Sequence, residues 1–141
     1  MAEGVFLRDL NLLELGVKVT TDSAGTHAYH LGKPPDKRGR EAAQKRGVTI
    51  DALRARRIEI GDFSYFDFIL AMDRQNLDML RYLCPNEFRR ALHLFSEFAP
   101  ELNHCEIPDP YLGKSKDFEK ALDLIELASR GLVDTIAKQF R

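Results

Sequence analysis

Phe66-Asp67-Phe68-Ile69-Leu70-Ala71-Met72-Asp73 is the stretch that decides the fold. Its apolar run, Phe68 to Met72, is short and uninterrupted, without the polar alternation of a strand that has one face in water. That is the pattern of a strand covered on both faces, as in a parallel sheet. Toward the C-terminus the chain predicts a helix over Arg74 to Leu83 and a short strand over Ala91 to Phe95. After an irregular stretch rich in proline and polar residues, Phe118, Leu122, Ile125, Leu132 and Ile136 mark the apolar stripe of a long final helix. Gly131 inside that helix should cost about 1 kcal/mol relative to Ala.

Toward the N-terminus, Gly32, Pro34 and Pro35 lead into a helix over about Asp36 to Arg46, stopped by Gly47. Val17 to Thr21 is β-branched and precedes the polar turn Asp22-Ser23-Ala24-Gly25-Thr26, which suits a strand ending in a functional loop. Residues 2 to 15 place Ala2, Val5, Phe6, Leu10 and Leu13 near helical spacing, and that periodicity already runs at Ala2, with no room for a normal cap. Strands and helices thus alternate. The expected fold is α/β: a three-layer αβα arrangement on a short, mostly parallel twisted sheet, with its active site at loops following the carboxyl ends of strands.

A chain of 141 residues is the size of one compact domain, and residues 1–141 are expected to form one. With 44% hydrophobic and 30% charged residues and a net charge of −1, nothing suggests a nucleic-acid partner. No apolar run approaches the ~20 residues needed to span a bilayer, and the first residues do not resemble a secretion signal. A cytoplasmic address follows by default. The two cysteines, Cys84 and Cys105, suit neither a disulfide scaffold nor a zinc site. His27, His30, His93 and His104 are too scattered for metal-ligand spacing, so no metal and no cofactor is expected.

The segment with most chemical content is Ile107-Pro108-Asp109-Pro110-Tyr111. Two prolines restrict the backbone around Asp109 and hold its carboxylate with little freedom, as general acid catalysis requires. From these residues alone a rigid surface turn is the commoner reading. Context comes from Asp22-Ser23-Ala24-Gly25-Thr26, Tyr29-His30, Gly32-Lys33-Pro34-Pro35-Asp36-Lys37-Arg38, Arg54-Ala55-Arg56, Phe66 to Asp73, and Asn76-Leu77. Together these segments, spread over nearly the whole chain, resemble the low-molecular-weight protein tyrosine phosphatases.

The resemblance implies hydrolysis of phosphotyrosine in proteins through a phosphocysteine enzyme, with Asp109 acting first as acid and then as base. It implies that Tyr29 and Tyr111 wall the phenyl ring and that Ser23 hydrogen-bonds the phosphate loop. Leu53 departs from the family, whose members often carry a polar residue or histidine in that neighbourhood. The family's nucleophile lies in a loop of Cys, five residues and Arg, followed by Ser-Pro, between its first strand and a helix beginning Met-Ala-Glu. This sequence begins Met1-Ala2-Glu3. The resemblance therefore implies that the first of four strands and the Cys/Arg phosphate loop are missing from the chain as written, and that these 141 residues are inactive alone.

Cys84 and Arg90 have the same spacing, but the segment between them lacks glycine, follows a helix and contains Glu87, so it is not read as a phosphate loop. Cys84 reads instead as a structural thiol. Arg54, Arg56 and Arg57 form a basic cluster whose ordinary role is a solvated face, with attraction of anionic substrates as the functional alternative. Two other readings remain. One is a thioredoxin-linked arsenate reductase of the same fold, supported only by Cys84-Pro85. The other is a non-catalytic remnant whose exposed strand edges invite a partner or self-association.

Overall fold

The computed structural model describes residues 1–12, 18–27, 31–103 and 105–140. Its strands are β1 (Ile69–Ala71) and β2 (Leu92–Leu94). Its α-helices are α1 (Ala2–Asn11), α2 (Lys37–Gln44), α3 (Ile60–Tyr65), α4 (Arg74–Leu83) and α5 (Ser115–Gln139). β1 and β2 pair in parallel, Ile69 opposite Leu92 and Ala71 opposite Leu94, and α4 makes the crossover between them.

Successive side chains of a strand point to opposite faces, and β1 divides the core accordingly. Ile69 and Ala71 join Phe63 of α3, Leu77 and Leu80 of α4 and Leu94 of β2. Phe68, Leu70 and Met72 pack on the larger cluster built from Val5 of α1, Ala43 of α2 and Leu122 and Leu132 of α5. Helices therefore cover both faces, which is why the run Phe68 to Met72 has no polar alternation. The fold is α/β, as expected.

Several boundaries differ from the sequence reading. α4 spans Arg74–Leu83 as predicted, with Asp73 accepting the Asn76 N–H at 2.7 Å as its cap. α2 is shorter, because Asp36 is its N-cap, accepting from the Arg38 N–H, and the chain turns at Gly47, where φ is +76°. α1 ends at Asn11 rather than residue 15, and its first turn carries no side-chain cap; residues 13–15 lie outside the described residues. α3 was not predicted. It is a six-residue helix with Phe63 as its one buried side chain, and Asp62 reaches back to the Glu59 N–H at 2.7 Å.

The expected strand over Val17 to Thr21 is the main correction. Val17 lies outside the described residues, and Lys18 to Thr21 are not a strand. A strand exists through hydrogen bonds to a neighbour, and among the described residues no backbone hydrogen bond joins 18–21 to β1. Beyond the β1–β2 pair, the parallel bridge between Gly25 and Arg57 is the pairing found among the described residues.

A buried polar group fastens α1 to α5. Asp9, 8% exposed, accepts from the Ser129 hydroxyl at 2.6 Å and from Arg8 at 3.0 Å. Arg8 also donates to the Arg46 carbonyl at 3.0 Å, and Arg46 pairs with Glu119, Asp123 and Glu126 along α5. Gly131 has a packing reason: a methyl there would overlap the Phe98 carbonyl in the turn of 3₁₀ helix over Phe95–Phe98 that lies against α5. No described helix is long and apolar enough to cross a membrane.

Candidate active site

The Asp109 loop sits at the carboxyl end of β1 because the chain before it is bonded there. The Ile107 N–H donates to the Met72 carbonyl at 2.8 Å, the Arg74 N–H donates to the Glu106 carboxylate at 2.8 Å, and Ile107 is buried. Beyond these anchors the chain emerges, so Asp109 is exposed. Its Oδ1 accepts the Tyr111 N–H at 3.0 Å, and the Gly113 N–H closes a turn on the Pro110 carbonyl at 2.8 Å. The side chain thus organises its own loop while remaining open to a ligand. Tyr111 beside it is 47% exposed.

A second loop faces this one. Gly25 exchanges backbone hydrogen bonds with the 56–58 segment: its N–H donates to the Arg56 carbonyl at 2.8 Å, and its carbonyl accepts from the Ile58 N–H at 2.9 Å. Arg56 forks onto both oxygens of Asp62 at 3.0 and 3.1 Å and reaches Asp22 at 3.1 Å. Bidentate pairing of this kind fixes orientation as well as charge, so Arg56 ties the start of the loop to α3. Asn76 on α4 donates to the Thr26 hydroxyl at 3.4 Å. Ser23, assigned by resemblance to the phosphate loop, donates its hydroxyl to Glu3 in the first turn of α1 at 2.6 Å.

Asp109, Tyr111, Ser23 and Asn76 all border one cleft of about 1460 Å³. Small-molecule sites usually occupy about 300–1,000 Å³. This space is larger because it extends inward beside the sheet, between residues 18–21 on one side and Phe68 to Met72 on the other, with Phe6 of α1 and Leu132 and Ile136 of α5 across it. Its mouth is polar and its depth apolar. Arg54 and Arg56 also border it, whereas Arg57 does not.

Neither cysteine does. Cys84 is 4% exposed in the core between α3 and α4, and burial pushes its thiol up from the ordinary value. It ends α4 and leads into a 3₁₀ turn at Asn86–Ala91, so the Cys84 to Arg90 spacing forms no strand-to-helix loop. Cys105 is exposed just before the acid loop, outside the cleft lining. Tyr29 and His30 lie outside the described residues, as does His104. His27 borders the cleft, while His93 packs between Phe68 and Phe98 and contacts Glu97 at 3.3 Å. Among the described residues, no three His, Cys, Asp or Glu side chains converge as metal ligands. Leu53 packs against the core.

The sequence reading missed how Asp36 and Arg38 bear on the acid loop. Asp36 was read as part of a helix start and, with Arg38, of a segment carrying the family resemblance, and nothing in the spacing of residues 36–38 indicates a contact more than seventy positions away.

Comparison with known proteins bears on the family and the fold. Residues 1–141 match the family pattern described as low molecular weight phosphotyrosine protein phosphatase. The low molecular weight protein-tyrosine-phosphatase YfkJ of Bacillus subtilis is 32% identical over 142 aligned positions, which cover 99% of this chain and 88% of YfkJ. A low molecular weight protein-tyrosine-phosphatase of Streptomyces coelicolor is 34% identical over 99% of this chain and 86% of its own length. A protein tyrosine phosphatase from Entamoeba histolytica, crystallised with Hepes in its active site, superposes with a TM-score of 0.92 at 33% identity, covering 98% of this chain and 88% of that one. The fold and these likenesses converge: the chain belongs to the low molecular weight phosphotyrosine protein phosphatase family.

Proposed function

We propose that this chain is the acid-bearing body of a single-domain phosphotyrosine hydrolase. Its nucleophilic cysteine and phosphate-binding arginine come from a further extended segment seated in the cleft beside β1. The observation that carries this reading is the cleft itself. Its polar mouth is bordered by Asp109 and Tyr111, its apolar depth runs along β1, and no cysteine lines it.

In this reading a thiolate attacks the phosphorus of an aryl phosphate, the P–O(aryl) bond breaks, and Asp109 gives its proton to the departing phenolic oxygen. Asp109, now a carboxylate, takes a proton from the water that attacks the phosphocysteine, which releases inorganic phosphate and restores the thiolate. Tyr111, together with Tyr29, flanks the phenyl ring, and Ser23 bonds the phosphate-binding loop once that loop is in place. Backbone N–H groups of the loop at the start of α1 would cradle the anion. Phosphotyrosine in proteins is the substrate class, and a reducing intracellular compartment suits a thiol enzyme.

The test is hydrolysis of p-nitrophenyl phosphate by the 141-residue chain and by the chain extended through its upstream reading frame. The short chain is expected to be inactive and the extended one active, provided the extension encodes an apolar strand followed by Cys, five residues and Arg. Turnover by the 141 residues alone would refute the reading. Cys84, the residue an arsenate reductase reading relies on, is buried away from the cleft, and no observation favours that alternative.

A further inference from the structure

The acid loop is held from outside the cleft by a residue to which neither the sequence pattern nor the proposed chemistry gives a role. Arg38, in the first turn of α2, donates through Nη2 to the Tyr111 carbonyl at 2.6 Å and through Nη1 to the Gly113 carbonyl. Both acceptors lie in the turn that follows Asp109. The guanidinium is itself fixed on two sides. Asp36 accepts from Nε and Nη2, both at 3.1 Å, and the ring of Phe118 in α5 lies under the guanidinium carbon at 4.7 Å.

A guanidinium held by a carboxylate fork and stacked on a ring has little orientational freedom left. Both carbonyls it grips belong to the loop that carries the acid. Among the described residues, the Asp109 carboxylate and the Pro110 carbonyl bond within the turn, and the Lys114 N–H donates to Asp117 at 2.7 Å where α5 begins. The prolines at 108 and 110 stiffen the backbone locally, but they do not set where the stiff unit points. The Ile107 bond to Met72 fixes it on the N-terminal side, and the contact to Arg38 does so beyond Asp109.

We propose that Arg38 is a positioning residue for the general acid, holding the Asp109 loop at the distance from the cleft at which its carboxyl meets the leaving oxygen. Arg38 does not touch substrate. It acts through the Tyr111 and Gly113 carbonyls, with Asp36 and Phe118 as its mounts. The proposal rests on the phosphatase reading for its catalytic consequence and on geometry alone for the tether.

Two measurements test it. In the 141-residue chain, Arg38→Gln should speed amide exchange at Tyr111 and Gly113 by at least about tenfold, leave α4 unchanged, and be partly reversed in Arg38→Lys, which retains the charge but not the fork. In the upstream-extended form, Arg38→Gln should lower kcat/KM for phenyl phosphate by about 10- to 100-fold. For p-nitrophenyl phosphate the loss should stay within about threefold, since a good leaving group needs little protonation.

An Arg38→Gln loop that stays protected overturns the proposal whatever the activity. So does a loosened loop with equal losses on both substrates, which marks a structural role only. An extended parent inactive on both substrates overturns the phosphatase reading instead, and exchange still decides the tether.

Discussion

Asp109 and the two cysteines show how far a single residue's environment determines its chemistry. Asp109 is exposed and, among the described residues, bonded to its own loop, a setting in which a carboxyl can exchange protons with a ligand. In the catalytically competent form, Asp109→Asn should slow hydrolysis of phenyl phosphate by about 10²–10⁴-fold, the usual worth of general acid catalysis. An effect of similar size on p-nitrophenyl phosphate kcat/KM would argue against the acid role. The cysteines separate by burial. Cys84 is enclosed and its thiol is pushed up, so little thiolate forms at neutral pH, whereas Cys105 is exposed. Iodoacetamide at pH 7.5 should therefore modify Cys105 in the folded chain and reach Cys84 only after denaturation, which peptide mass mapping would reveal. Equal modification of both in the folded chain would remove the account of Cys84 as a structural thiol.

At the scale of elements, packing overrides propensity in α5. Replacing Gly131 by Ala in a free helix gains about 1 kcal/mol. Here the added methyl meets the backbone of Phe98, which a rotamer change cannot relieve, so Gly131→Ala should instead destabilise by about 1–3 kcal/mol, read from a denaturant midpoint. Ser129→Ala tests the other α5 contact. It leaves the buried Asp9 carboxylate short of a donor, and loss of such a partner costs about 1–3 kcal/mol. α4 and the β1 run were legible in the sequence because their signals are local: a cap, a periodic stripe, an unbroken apolar stretch. The Asp109 loop was legible because two prolines and a tyrosine enclose it. α3 was not, since a six-residue helix with one buried anchor has too little period to detect. The role of Arg38 was not either, because its acceptors lie at Tyr111 and Gly113 and only the fold brings them near. Hydrogen bonds from Arg38 hold the Asp36 carboxyl below the usual carboxylate range. A group whose folded pKa is depressed stabilises the fold above its unfolded pKa, and that contribution disappears as pH falls through the folded value. The fork should therefore persist through the ordinary carboxylate titration range and fail only at more acid pH.

For the whole molecule, the cleft sets the energetics. Phe6, Ile69, Leu132 and Ile136 line a space that penetrates between the helix layers, and among the described residues β1 pairs with β2 on one side only. Apolar surface and an unpaired strand edge together favour association with any chain that can supply an extended segment. Lys18 to Thr21, the described part of the strand expected over residues 17–21, border the cleft opposite Phe68 to Met72 and make no backbone hydrogen bond to β1 among the described residues. The 141-residue chain is accordingly expected to self-associate with rising concentration, with a weight-average mass by light scattering above its 16.1 kDa. Seating an apolar strand in the cleft should reverse this. Each fully buried Val, Leu or Ile side chain contributes about 1.5–3 kcal/mol, so three of them exceed about 4 kcal/mol, enough to raise Tm by roughly 10 °C or more in a domain of this size. On the proposed reading, a form extended by an apolar strand should be monomeric and melt higher by that margin, and residues 18–21 should acquire slow-exchanging amides as they gain a strand partner. A monomeric 141-residue chain whose melting temperature the extension leaves unchanged would mean that the cleft is closed in solution by the chain's own residues, and the strand-completion account of this fold would fall.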